Sequence, residues 1–270
     1  MVTCREAVAR FVSHAGVPAR PDTADGFLAG DPNRVVDGIA VTGMATLEVL
    51  HQAAARGMNL VVTHEPLYYD HRNRQERYLT ETADPVYAVK SAFVAANRLT
   101  VWHLHDLCHD TGPDAVDHSL ARALGWQPCE RTEMAGAYSI DPPMALGTLA
   151  ARAARITGAR AARYIGDPEQ PVRTVALNVG FRGFEINRRS LSHPDIDALL
   201  IGEGHEWESG EYAADAVTAG FRKGMIVLGH LPSEQLAMAD AAQSLASLVP
   251  EIPVRYLPAE DPYAAVGPSV

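Results

Sequence analysis

Three short stretches gather the residues of this chain that can do chemistry: VVTHEP (61–66), HLHDLCHD (103–110) and GHLPSE (229–234). Each joins imidazole to carboxylate, a donor set suited to zinc, iron, manganese or cobalt. In the first, His64 and Glu65 are adjacent, and on a regular strand they would face opposite ways. Pro66 takes Glu65 off into a turn, so both groups can point near one centre and serve two neighbouring metals, one each. In the second, His103 and His105 share a strand face by the period of two, and Asp106, His109 and Asp110 follow in a loop. In the third, His230 stands at a strand tip and Pro232 keeps Leu231 extended. Ser233 then caps a helix, and Glu234 falls in its first turn, where the helix dipole favours a carboxylate.

Each stretch has a plainer account when taken singly. His103 lies well inside its strand, as a packed or hydrogen-bonded core histidine does. Glu234 behind Ser233 is part of an ordinary capping pattern. His14, His51, His71 and His118 fall on helix or loop surfaces and read as structural or solvated. Ligands collect at the carboxyl ends of strands in open α/β sheets, and three such clusters at equivalent places argue together for a metal site.

The elements that position them alternate. Apolar runs at 59–64, 99–106, 172–180, 195–204, 224–230 and 253–258 read as strands. Residues 46–57, 86–98, 114–126, 207–221 and 233–249 carry helical periodicity, and the Ala/Arg-rich middle holds another helix. Alternation of this kind predicts a layered α/β fold, expected here as mixed sheets in two similar lobes of one domain. The lobes are approximately 1–130 and 131–270, with the proline-bearing stretch 127–145 as the boundary and the metal site at strand ends between them.

Composition excludes several classes. A net charge of −10 argues against a sequence-independent grip on nucleic acid and against a polybasic membrane contact. No apolar run approaches the ~20 residues that span a bilayer. The first sixteen residues read as an amphipathic helix, not a signal peptide. Cys4, Cys108 and Cys129 are scattered, with no disulfide framework or CxxC site, which suits a reducing cytoplasm.

In order, ARGMNLVVTHEPLYY, NRLTVWHLHDLCHD, GPDAVDHSLARALGW, DIDALLIGEGHEWESGEYAADAVTAGF and MIVLGHLPSEQLAM resemble the Nif-three-like family over nearly the whole chain. These are dinuclear-metal proteins that form toroidal hexamers, often labelled GTP cyclohydrolase I type 2. The resemblance implies two divalent ions per chain (Zn, Fe or Mn), a homohexamer and a small-molecule substrate. The family's adjacent histidine pair falls on His64 and Glu65. Its strand-end histidine and the aspartate four residues on fall on His105 and His109 when aligned from the left. Aligned from the right, the aspartate falls on Asp110. Asp106, His109 and Asp110 therefore all stand as sources of the middle ligand, with Asp106 and His109 carried in the set. The closing pair falls on His230 and Glu234, and Glu203 lies near the site.

The departures mark a divergent branch: Glu65 in place of an imidazole, and a glycine-rich loop thinned to Gly180 and Gly183. At 270 residues there is no room for the middle domain that some members insert. Two ions sharing a water can present hydroxide to an electrophilic carbon or phosphorus, so metal-assisted hydrolysis is the reaction expected. His105 and Glu203 are the acid/base or positioning groups, and Arg182, Arg188 and Arg189 are either anion holders or solvated surface. Ser233 and Cys108 read as a helix cap and a buried small residue, not nucleophiles. The alternatives are a non-catalytic metal-binding scaffold or metal chaperone, and a specialised biosynthetic hydrolase or cyclase.

Overall fold

A computed structural model describes residues 1–18, 20–72, 74–112, 114–129 and 133–265. The expected lobe boundary at 130/131 lies outside these described residues. Two compact units emerge: residues 1–115 with 237–259, and residues 116–236 with 260–270.

The strands in chain order are β1 (Gly26–Ala29), β2 (Ile39–Thr42), β3 (Leu60–Thr63), β4 (Thr100–His103), β5 (Gln127–Pro128), β6 (Ala137–Ala145), β7 (Arg163–Ile165), β8 (Pro171–Asn178), β9 (Ala198–Ile201), β10 (Gly224–Val227) and β11 (Val254–Tyr256). The first unit holds a sheet in the order β1-β4-β3-β2-β11, parallel except for β1 at its edge. β2, β3 and β4 are buried at every position, as parallel strands covered on both faces must be. The second unit holds the order β5-β6-β8-β9-β10-β7, with β8, β9 and β10 parallel and the rest antiparallel. Two mixed sheets with helices between their strands make this the expected α/β fold. Among the described residues no helix is long and apolar enough to cross a membrane.

Helix caps explain where several helices begin. The first helix, α1 (Cys4–Ala15), opens on a reciprocal Thr3–Glu6 capping box and closes on Gly16. The next, α2 (Leu47–Ala55), is capped by Thr46. Two further helices, α3 (Arg74–Glu81) and α4 (Pro85–Ala96), follow β3, and Asp84 caps the second of them with Pro85 in its first turn.

Some expectations change. The loop expected after His105 is a short helix, α5 (Asp106–Asp110). The stretch expected as a boundary contains β6, which pairs with β8 through a register shift between Ser139 and Met144. That irregularity accommodates the prolines that made the stretch look like a linker. The helix expected to start at Ser233 starts at His230 and runs to Leu248. Pro232 is therefore in a first turn, where its missing N–H costs nothing, and Leu231 is helical, not extended. Ser233 donates its hydroxyl to the His230 carbonyl at 2.6 Å and accepts from Gly180 N–H at 2.9 Å. It ties two strand ends together instead of capping.

Candidate metal centre

In the first unit the site is built by two neighbouring parallel strands. Thr63 of β3 is in register with His103 of β4, so the residues that follow each leave the sheet at the same level. The Thr63 hydroxyl donates to the Glu65 carbonyl at 2.8 Å and accepts from Ala45 N–H at 3.0 Å. This fixes the turn that Pro66 then continues. His64 and Glu65 are both buried. On the other strand, the Asp25 carboxylate accepts the backbone N–H groups of Asp106 at 2.9 Å and Leu107 at 2.8 Å. An aspartate some eighty residues upstream thus caps α5, and holds His105 and His109 at its two ends.

Side-chain nitrogens of His64, His105 and His109 lie within 4.8 Å of one another. The His64 and His105 rings stack 4.8 Å apart, and His109 stands 4.8 Å from His105 and 5.3 Å from His64. Each ring is held through Nδ1 by an oxygen acceptor: the Leu104 carbonyl for His64 at 2.9 Å, Asp106 for His105 at 3.0 Å, and Asp114 for His109 at 3.0 Å. The protons therefore sit on Nδ1, and the lone pair of each ring is on Nε2. Metal-binding histidines are oriented in the same way, and three imidazoles are a known zinc donor set. Burial, with His64 and His109 close by, pushes His105 down to about 3, so its ring is neutral, as a ligand must be. The residues present fit a divalent ion.

The middle-ligand question narrows. His109 is in the cluster, while Asp110 pairs with Arg20. Both Asp106 oxygens are engaged, one by His105 Nδ1 and the other by Ala24 N–H at 2.7 Å and the Thr23 hydroxyl at 3.1 Å. Burial alone would raise its carboxyl. The Ala24, His105 and Thr23 donors outweigh that and hold it at about 2. Asp106 is placed to orient His105, and His105, expected as an acid or base, is itself among the possible ligands.

His71 is the residue that sequence reasoning missed. Read as surface, it joins Glu65 and His105 in a second group whose ligand atoms also lie within 4.8 Å of one another. Its ring is 4.4 Å from that of His105. His103 is the buried, hydrogen-bonded histidine expected, its Nδ1 donating to the Ala24 carbonyl at 2.9 Å. Beside Glu65 and His71 opens a cavity of about 630 Å³ walled by Met44, Leu47, Tyr69, Val86, Val89 and Lys90. Tyr69 holds a left-handed backbone at φ 65°, a conformation that clusters at functional sites.

In the second unit the same device recurs. Asn178, Ile201 and Val227 are the last residues of β8, β9 and β10 in one continuous register. Gly180, Glu203 and His230 follow them. The Glu203 carboxylate accepts from His230 Nδ1 at 2.8 Å, and His230 Nε2 faces a Glu234 oxygen at 3.1 Å. Glu203 is thus a positioning group for His230. Glycine is favoured at 180: it has φ +60°, and a Cβ there would lie 1.9 Å from a Glu234 oxygen. Two of the three arginines bind protein carboxylates: Arg188 pairs with Glu185 at 2.6 Å and Arg182 with Asp117 at 3.6 Å. Cys108 is buried, and burial pushes its thiol up, which suits packing better than attack.

Comparison with known proteins agrees with this reading of the fold. A Streptomyces coelicolor protein named GTP cyclohydrolase 1 type 2 homolog is 28% identical over 170 residues, which are 58% of this chain and 57% of that protein. The matched part is thus less than two thirds of that relative. A Clostridium acetobutylicum protein of the same name is 20% identical over 190 residues, 66% of this chain and 67% of that one. A solved structure, of a Bacillus cereus protein related to NIF3, superposes with a TM-score of 0.78 at 15% identity, over 98% of this chain and 99% of the other. The profile of Duf34/NIF3 (NGG1p interacting factor 3) matches residues 18–262, and the chain belongs to that family.

Proposed function

We propose that this protein is a divalent-metal-dependent hydrolase acting on a small organic molecule. The observation that carries the reading is the set of three imidazoles, His64, His105 and His109, each with Nδ1 anchored on an oxygen and with side-chain nitrogens within 4.8 Å of one another. When bound, a divalent ion supplies Lewis acidity and lowers the pKa of its water towards 7.

The chain's own residues do the rest. His64, His105 and His109 hold, and Leu104, Asp106 and Asp114 orient them. We assign His230 and Glu234 to metal holding as well, as the family resemblance implies, with Glu203 fixing His230. Glu65 on the cavity wall would hold metal too, as the family resemblance implies, on the side from which a substrate enters. The cavity is within the usual size for a small-ligand site. Its apolar walls suit a flat ring, and Lys90 sets a cation beside the Tyr69 ring, 5.4 Å away. The cyclohydrolase name of the relatives makes nucleotide-like substrates the first to screen. Assembly into a homohexamer with two ions per chain is the arrangement that the resemblance implies.

The test is metal content per purified chain for wild type, Glu65→Ala and His230→Ala, followed by a hydrolysis screen with and without metal. Near two equivalents in wild type, falling in both variants, together with metal-dependent turnover, supports the reading. Full metal content with no turnover of any substrate moves the protein to a metal-binding scaffold or chaperone. No metal uptake at all overturns the metal centre.

A further inference from the structure

We propose that Phe181, His205 and Trp207 form a stacking platform in the second unit, and that the open face of Trp207 binds a flat, uncharged nitrogen-heteroaromatic ring of the nucleobase type. The proposal goes beyond the hydrolase reading and uses none of the residues assigned there to metal.

The platform grows from two strand ends. Glu203 N–H, just past β9, donates to the Gly180 carbonyl, just past β8, at 2.9 Å. Phe181 and His205 follow that bond on the two strands' extensions and meet with ring centroids 5.4 Å apart. Trp207 stacks on His205 at 4.4 Å, its ring within 9° of parallel. It belongs to a single π-helical turn, Glu206–Gly210, that leads into the helix Glu211–Thr218. Such turns recur at functional sites. This one is tied down by buried side chains: Asn178 donates to Asn187 at 2.9 Å, and Asn187 to the Ser209 hydroxyl at 3.0 Å. The His205 ring is pinned as well, its Nδ1 donating to Glu208 at 3.0 Å. The rings are thus ordered before a ligand arrives, so binding costs little side-chain freedom.

One face of Trp207 is taken by His205, yet the residue is 69% exposed, so its other face is open. Trp102 and Trp126, by contrast, are buried. Three touching rings at the surface differ from the scattered single apolar residues that a surface normally carries. An indole face takes either a cation or a flat ring offset upon it. A cation would gain most from a free carboxylate beside the ring. Here Glu208 is engaged by His205, Glu206 by Arg163 at 2.6 Å, and Glu203 by His230 at 2.8 Å. The arginines are engaged in turn, Arg163 on Glu206 and Arg182 on Asp117, so a phosphate group gains no partner from either. Ring stacking is the contact that remains. It tolerates different bases, because every base has a π-face, so the platform selects a class of ring and disfavours its phosphorylated forms.

Trp207 is its own reporter, since the other two tryptophans are buried. Full-length protein freed of metal with EDTA is titrated with adenosine, inosine and ATP. Emission is excited at the red edge of the indole band, clear of purine absorption, and bound ligand is measured by equilibrium dialysis for wild type, Trp207→Ala and Trp207→Phe. Circular dichroism checks the fold of each variant. The expected result is saturable quenching by both nucleosides, with ATP binding more weakly than adenosine. Trp207→Ala should bind the nucleosides at least about 5-fold more weakly, and Trp207→Phe, which keeps a ring, should recover most of the loss. Equal affinity in wild type and Trp207→Ala overturns the proposal, as does the lack of saturable binding of either nucleoside. Tighter binding of ATP than of adenosine overturns the uncharged-ring assignment. Wild-type emission that acrylamide quenches no better than that of Trp207→Phe means that a second copy of the chain covers the indole, and overturns the platform too. Metal uptake enters none of these outcomes, so the hydrolase reading stands or falls separately.

Discussion

His64 donates through Nδ1 to the carbonyl oxygen of Leu104 at 2.9 Å, across the ends of two strands paired in parallel. That one bond converts sheet register into ring chemistry. A carbonyl cannot donate, so the tautomer of His64 is set by the backbone of the neighbouring strand. The lone pair is then fixed on Nε2. Asp106 and Asp114 do the same for the other two rings, and Glu203 does so for His230 in the second unit.

Asp114 gives the cleanest test of this anchoring. It accepts from His109 Nδ1 at 3.0 Å and has no place in either group of possible ligands in the first unit. Replacing it with Ala should leave the number of ions at saturation unchanged and weaken binding by about 10–100-fold. Competition with a chromophoric chelator measures this. Affinity equal to wild type would mean that His109 is oriented by packing alone.

Asp25 acts one step further out. Its carboxylate takes the N–H groups at the start of α5, the helix on which Asp106 and His109 ride. Asp25→Ala should cost about 1–2 kcal/mol, the usual range for a lost helix cap. Metal affinity should fall with it, because His105 precedes that turn. Chemical denaturation of the metal-free proteins gives the first quantity and chelator competition the second. Asp25→Ser, which keeps a capping acceptor on a shorter arm, should recover part of both.

These two aspartates show where the sequence was readable. His64, Glu65, His230 and Glu234 stood out because each sits where an apolar run stops at a proline or a helix start, a signal contained within six residues. β3, β4, β8, β9 and β10 were readable for the same local reason, being short buried runs. Asp25 and His71 carry no such signal. Asp25 reaches its helix from about eighty residues away. His71 lies in the polar stretch YYDHR and meets Glu65 and His105 only in the folded chain. The short helix α5 looks like a loop in the sequence because a single turn has no periodicity to detect. The start of the last helix is hidden in the sequence because Ser233 resembles a cap, while its hydroxyl is shared between His230 and Gly180.

Gly180 ties the backbone to the Glu234 carboxylate in the second unit. A methyl group there would fall 1.9 Å from a buried Glu234 oxygen and would also require φ +60° of an L-residue. Gly180→Ala should therefore destabilise the protein by about 1–3 kcal/mol and lower the metal content by displacing Glu234. Glu234→Ala removes the collision. The double variant should accordingly be more stable than the sum of the two single effects predicts, as neighbours that share one clash are. Strict additivity in thermal or urea unfolding would mean that the backbone angle, not Glu234, makes glycine necessary.

Lys90 predicts a pH dependence of stability. Its ammonium is buried, donates to the Leu67 carbonyl at 2.7 Å, and burial pulls it down to about 8. An unfolded lysine titrates near about 10.4. Below pH 8 both states hold the proton, and the folded state bears the whole penalty of a buried charge. From about pH 8 to 10.4 the unfolded chain holds the proton and the folded chain does not, so stability rises with pH across that window, by about 2–3 kcal/mol in all. Tyr68 and Tyr256, whose phenols burial pushes up, work in the opposite direction above pH 10. The quantity to measure is therefore the difference in unfolding free energy between wild type and Lys90→Met, taken in urea from pH 7 to 10. The variant should lack the rise. Parallel curves for the two proteins would show that Lys90 keeps an ordinary ammonium, hydrated from the cavity it lines beside Glu65 and His71.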